Sequence, residues 1–89
     1  MQDVKDALRR FIAGHLEEAA ARKGRVVTVT DDLYILGEQL LDSLEFLNLL
    51  MAVEQRFQLE VDFSDRDIAE VTRFGALVDA FAATAGQGG

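Results

Sequence analysis

The chain reads as an all-α protein: a four-helix antiparallel bundle with a short third helix and a long first connection. Three observations predict it. Apolar residues recur at helical spacing in Val4 to Ala19, in Phe46 to Phe57 and in Phe74 to Ala82. Residues that start helices well, Asp3, Asp42, Ser64 and Thr72, stand before the helical patterns. The runs that alternate in a strand-like way are too few and too short to make a sheet. Such segments bury their faces in one shared core, as antiparallel bundles do.

Length and composition set the bounds. The chain has 89 residues, enough for one small domain with a modest core, here placed at residues 1–85 with a flexible tail at 86–89. Hydrophobic residues make up 49%, which argues against disorder throughout. There is no cysteine, so disulfides, thiolate metal sites and cysteine nucleophiles are excluded. A net charge of −7 argues against nucleic-acid binding and favours basic protein partners. No apolar run reaches membrane-spanning length, so membrane insertion is not expected. Met1-Gln2-Asp3-Val4-Lys5-Asp6 lacks the basic-then-apolar order of a signal peptide. A cytoplasmic monomer is the expectation.

The first helix is expected from about Asp3 to about Arg22. Val4, Leu8, Phe11, Ile12, Leu16 and Ala19 form its apolar face. Gly14 weakens it by about 1 kcal/mol relative to alanine. Arg22 and Lys23 suit its C-terminus, and Gly24 its stop. His15 lies off the stripe. With no second histidine it reads as a solvated position rather than a metal ligand or a general base.

Residues 24–41 form the long connection. Val26, Val27 and Val29 alternate weakly and lie over the helices as an ordered loop. Thr30-Asp31-Asp32-Leu33 can make one helical turn. Leu33, Tyr34, Ile35 and Leu36 pin the loop to the core before Gly37 turns it.

The second helix runs from Ser43 to about Phe57. Asp42 is its N-cap, and Glu45 three residues later completes a capping-box pattern. Taking about 100° per residue with Leu44 at zero, Phe46, Leu49, Leu50, Val53 and Phe57 gather near 200°. Leu44, Leu47 and Met51 fall between about 300° and 360°, with Glu54 at their border. A helix with one core needs only one apolar stripe. The second stripe, which begins beside Ser43, has the character of a docking surface. The plainer reading lays it against a neighbouring helix or loop.

Gln58 to Phe63 alternates and packs under the helices. Ser64 caps the short third helix, with Asp67 in a capping-box position and Ile68, Ala69 and Val71 on its buried side. Asp62, Asp65, Asp67 and Glu70 fail the calcium-loop pattern, having no central glycine and no closing glutamate. The last helix starts at the cap Thr72, buries Phe74, Leu77, Val78, Phe81 and Ala82, and fades near Ala85.

The order helix, long loop, Asp42-Ser43-Leu44, helix, short helix, helix resembles the acyl and peptidyl carrier proteins over nearly the whole chain. The lines that carry the likeness are Asp32-Leu33-Tyr34 leading to Gly37, Leu41-Asp42-Ser43-Leu44, Glu54-Gln55-Arg56-Phe57 and Val71-Thr72-Arg73-Phe74. The Leu40-Leu41-Asp42-Ser43 run and Phe63-Ser64-Asp65 look like stand-alone aminoacyl and D-alanyl carriers.

The resemblance implies that the bundle is of the acyl-carrier type. It implies that Ser43 receives 4′-phosphopantetheine from coenzyme A through a phosphopantetheinyl transferase. The arm's thiol then holds an acyl or aminoacyl group as a thioester. A loading ligase and downstream acyltransferase, condensing or tailoring enzymes would be the partners, and the protein would perform no catalysis itself. By the same likeness, Leu44, Leu47 and Met51 meet those partners, with Asp42, Glu45 and Glu54 as an acidic rim and Val61 closing the groove. Asn48, Gln55 and Arg56 interrupt the acidic row that many fatty-acid carriers have, which counts against interchange with their partners. A helix N-terminus suits the new phosphodiester. The competing reading is an unmodified adaptor that binds partners through Leu44, Leu47 and Met51. No nucleophile, base and orienting trio suggests an enzyme.

Overall fold

The computed structural model describes residues 4–36, 40–59 and 72–87, with side chains to residue 84. Three helices form there: α1 (Val4–Arg22), α2 (Ser43–Phe57) and α3 (Phe74–Gln87). No sheet strand occurs among the described residues, only the isolated bridges Tyr34–Arg73 and Leu36–Leu41. The short helix expected from Ser64 lies outside the described residues, as do Asp3, Gly37, Val61, the acidic positions 62, 65, 67 and 70, and residues 88–89.

Helix α1 packs on both α2 and α3. Contacts along it run in opposite orders to its neighbours. Lys5 pairs with Asp79 while Arg9 lies over Phe74, and Phe11 meets Phe57 while Lys23 meets Glu45. Both pairings are therefore antiparallel. The core is made by the expected faces: Leu8, Ile12 and Leu16 of α1, Phe46, Leu49, Leu50 and Val53 of α2, and Phe74, Leu77, Val78 and Phe81 of α3. At the start of α1 the expected stripe gives out, since Val4 is exposed.

Gly24, at φ 72°, ends α1 in a left-handed turn. The Gly24 N–H donates to the Ala21 carbonyl at 3.0 Å and the Arg25 N–H to the Ala20 carbonyl at 2.8 Å, which satisfies two orphan carbonyls. The connection that follows is ordered by burial at its far end. Val26 is fully exposed, Val27, Val29, Leu33 and Leu36 are half-buried, and Ile35, Leu40 and Leu41 are buried. The Leu33 N–H closes the Thr30–Leu33 turn on the Thr30 carbonyl at 3.1 Å.

The start of α3 departs from the sequence reading. Arg73, not Thr72, stands at its N-cap position. The helix begins at Phe74, and the Arg73 carbonyl accepts the Leu77 N–H at 3.0 Å. Thr72 is instead buried, and its carbonyl takes the Ile35 N–H at 2.6 Å. The physical reason is tertiary. Loop carbonyls of Leu33 and Asp31 accept the Phe74 and Gly75 N–H groups at 2.9 and 3.0 Å, so donors that a side chain would otherwise cap are already satisfied. At the other end α3 runs to Gln87, so Gly86 and Gln87 continue the helix rather than opening the tail.

Candidate functional site

The start of α2 is held by a complete capping box. Asp42 is the N-cap in extended backbone, at φ −83° and ψ −179°. Its Oδ1 accepts the Glu45 N–H at 2.7 Å, and Glu45 Oε1 accepts the Asp42 N–H at 3.1 Å. Ser43 is thereby fixed as the first helical residue, and it is exposed.

A third partner joins the box from the turn just after α1. Lys23 Nζ donates to Glu45 Oε1 at 2.9 Å and also to the Leu40 carbonyl. The Lys23 ammonium and, after it, the Asp42 N–H hold the Glu45 carboxyl below its ordinary value of 4.5. In the sequence Lys23 reads chiefly as a favourable charge at the end of α1. Its partners stand far along the chain, so no local pattern could name them.

Along α2 the two stripes separate as the periodicity predicts. Phe46, Leu49, Leu50 and Val53 are buried, whereas Leu44, Leu47 and Met51 are 66%, 52% and 51% exposed. The plainer reading, with these three laid against a neighbour, does not hold among the described residues. Asp42 is exposed, and Glu45 and Glu54 are half-buried. Beyond Met51 the exposed row runs into a groove lined by Met51, Glu54, Gln55, Gln58 and Leu59.

His15 is exposed and its ring lies tilted against Phe11, with ring centroids 4.5 Å apart and Nδ1 3.2 Å from the Phe11 carbonyl. Among the described residues no three His, Asp or Glu side chains gather to hold a metal ion. No described helix is long and apolar enough to cross a membrane.

A family model for the phosphopantetheine attachment site matches residues 8–81, and the chain belongs to that family of carrier domains. No curated relative and no solved structure was found to match the chain. Members of the family carry a covalent 4′-phosphopantetheine group, are carriers rather than catalysts, and work with a phosphopantetheinyl transferase and with pathway enzymes. The residues at the start of α2 fit such a group. An exposed hydroxyl stands at a helix N-terminus, where backbone N–H groups and the helix dipole favour a phosphodiester.

Proposed function

We propose that Ser43 is the attachment residue, and that this chain presents an acyl or aminoacyl group to partner enzymes. One observation carries the reading: the exposed hydroxyl residue opens α2 at the head of an exposed apolar row. When bound, the phosphopantetheine arm supplies the thiol that the cysteine-free chain lacks. The chain's own residues fix where the arm begins. Asp42 and Glu45 set the first turn of α2, so the serine leaves the helix in one orientation.

Leu44, Leu47 and Met51 then form the surface against which the transferase, the loading ligase and later enzymes dock. Asp42, Glu45 and Glu54 form its acidic rim, and Val61 belongs to the same surface. A short helix from Ser64 completes a four-helix bundle of the carrier type, and the protein works as a cytoplasmic monomer. The pathway is one of polyketide, nonribosomal peptide, fatty-acid or aminoacyl transfer, and the Leu40-Leu41-Asp42-Ser43 run favours the last.

Intact-mass spectrometry after incubation with coenzyme A and a broad phosphopantetheinyl transferase tests the assignment. Wild type gains one phosphopantetheine and Ser43→Ala gains none. An unchanged wild-type mass would instead leave the chain as an adaptor that uses the same exposed row.

A further inference from the structure

We propose that Lys23 is a positioning residue for the modification of Ser43, acting through Glu45 and the Leu40 carbonyl. The inference rests on the Ser43 reading and adds to it a role for the end of α1.

Three bonds carry the argument. Lys23 Nζ lies 2.9 Å from Glu45 Oε1 and donates also to the Leu40 carbonyl. The same Glu45 oxygen accepts the Asp42 N–H at 3.1 Å. Lys23 thus ties Leu40, before the serine, to Glu45, after it, and the Asp42 N–H joins them only through the shared Glu45 oxygen. The backbone that carries the ammonium is held by the helix end. The Lys23 N–H donates to the Ala20 carbonyl at 3.0 Å, and Gly24 closes the turn behind it. The first turn of α2 is therefore tied to the end of α1 as well as to the loop.

Charge gives the arrangement a second consequence. Two carboxylates, Asp42 and Glu45, stand within two residues of Ser43. The diphosphate of coenzyme A must approach the serine oxygen through their field. Lys23 offsets one of them directly, and Arg22 adds to the positive field at Glu45. Without Lys23 the donor meets a more negative turn, and the turn loses its side-chain tie to the end of α1.

The test uses the full chain, coenzyme A and a broad phosphopantetheinyl transferase, with initial rates read by intact mass. Lys23→Met is expected to lower kcat/KM for transfer by about tenfold, the scale of a lost charge-assisted hydrogen bond, with the helical circular dichroism retained. Lys23→Arg, which keeps charge and donors, recovers most of the rate. In a Glu45→Gln background the Lys23→Met loss shrinks, because the two residues act as a unit. A structural role of Lys23 that does not run through Glu45 would not give that non-additivity. If Lys23→Met loses its helical signal, Lys23→Gln is read in its place against the same expectation. Wild type modified on Ser43 with an unaltered Lys23 variant rate overturns this inference alone, as does an equal loss in both Glu45 backgrounds. Wild type that gains no arm overturns the Ser43 reading and this inference with it.

Discussion

Gly75 and Asp31 approach so closely that a Cβ on residue 75 would stand 2.9 Å from the Asp31 Cβ and 3.2 Å from its Cα. The contact is built from both sides. The Gly75 N–H donates to the Asp31 carbonyl at 3.0 Å, and Arg9 holds the Asp31 carboxylate at 2.8 Å. The atoms that a methyl group would meet are backbone or next to it, so they cannot swing away. Overpacking of this kind costs about 1–3 kcal/mol, against a helix-propensity gain for alanine of at most about 1 kcal/mol. Gly75→Ala is therefore expected to destabilise the protein by about 1 kcal/mol in chemical denaturation. A stabilised variant would show that the loop yields freely at Asp31.

Two leucine-rich stripes on one helix predict opposite responses to substitution. Leu50 is buried and Met51, next to it in sequence, is half out in solvent. Leu50→Ala should cost about 2–5 kcal/mol by leaving a cavity. Met51→Asp should stay within about 0.5 kcal/mol of wild type in stability. With Met51 on the proposed docking row, the same variant is expected to slow loading by partner enzymes about fivefold or more, the effect of losing a 1 kcal/mol interface contact. A thermal melt that collapses for Met51→Asp would return this residue to the core.

What the sequence disclosed, and what it hid, follows the range of the forces involved. The capping box needs only Asp42 and Glu45, three positions apart, and it was legible. So was the exposed row, because helical periodicity alone separates Leu44, Leu47 and Met51 from Phe46, Leu49, Leu50 and Val53. The start of α3 was misread at Thr72 because its N–H groups are taken by carbonyls of Leu33 and Asp31. Those residues are near only after folding. Arg73 likewise looks like an ordinary surface cation. In the fold it stacks 4.1 Å over the Tyr34 ring, donates to the Tyr34 hydroxyl at 2.6 Å and to the Asp32 carbonyl at 3.2 Å, clasping the loop to α3. Gly75 resembles a weak helix residue until Asp31 is seen beside it.

The depressed Glu45 carboxyl makes a pH prediction whose sign follows from linkage. A carboxyl titrating lower in the folded chain than in the unfolded one contributes stability above its unfolded value of about 4.5. That contribution fades as pH falls through the folded value. Urea denaturation of wild type and Glu45→Gln should therefore show their largest separation at neutral pH. The gap should narrow progressively below pH 4.5. Lys23→Met should remove most of the pH dependence of the gap, since the Lys23 ammonium is the main cause of the depression. A gap that widens toward low pH would contradict the folded geometry around Glu45.

Gln58 closes α2 in the left-handed region, at φ 55° and ψ 48°, where a side chain bearing a Cβ is strained. The turn is nonetheless well bonded. The N–H groups of Gln58 and Leu59 both reach the Glu54 carbonyl, the latter at 3.0 Å. Relief of the strain by glycine is worth about 1–2 kcal/mol, offset by about 0.4–1 kcal/mol for the greater freedom of glycine in the unfolded chain. Gln58→Gly should therefore stabilise by roughly 0.5–1 kcal/mol, the difference of those two effects. Gln58 also lines the groove beyond Met51, so the variant separates two uses of one position. Higher stability with slower loading would mark the glutamine side chain as a partner contact retained at the expense of the helix end. Higher stability with unchanged loading would leave it only as a strained cap. A loss of stability would mean that the Gln58 side chain holds the turn by more than its backbone, contrary to the strain argument.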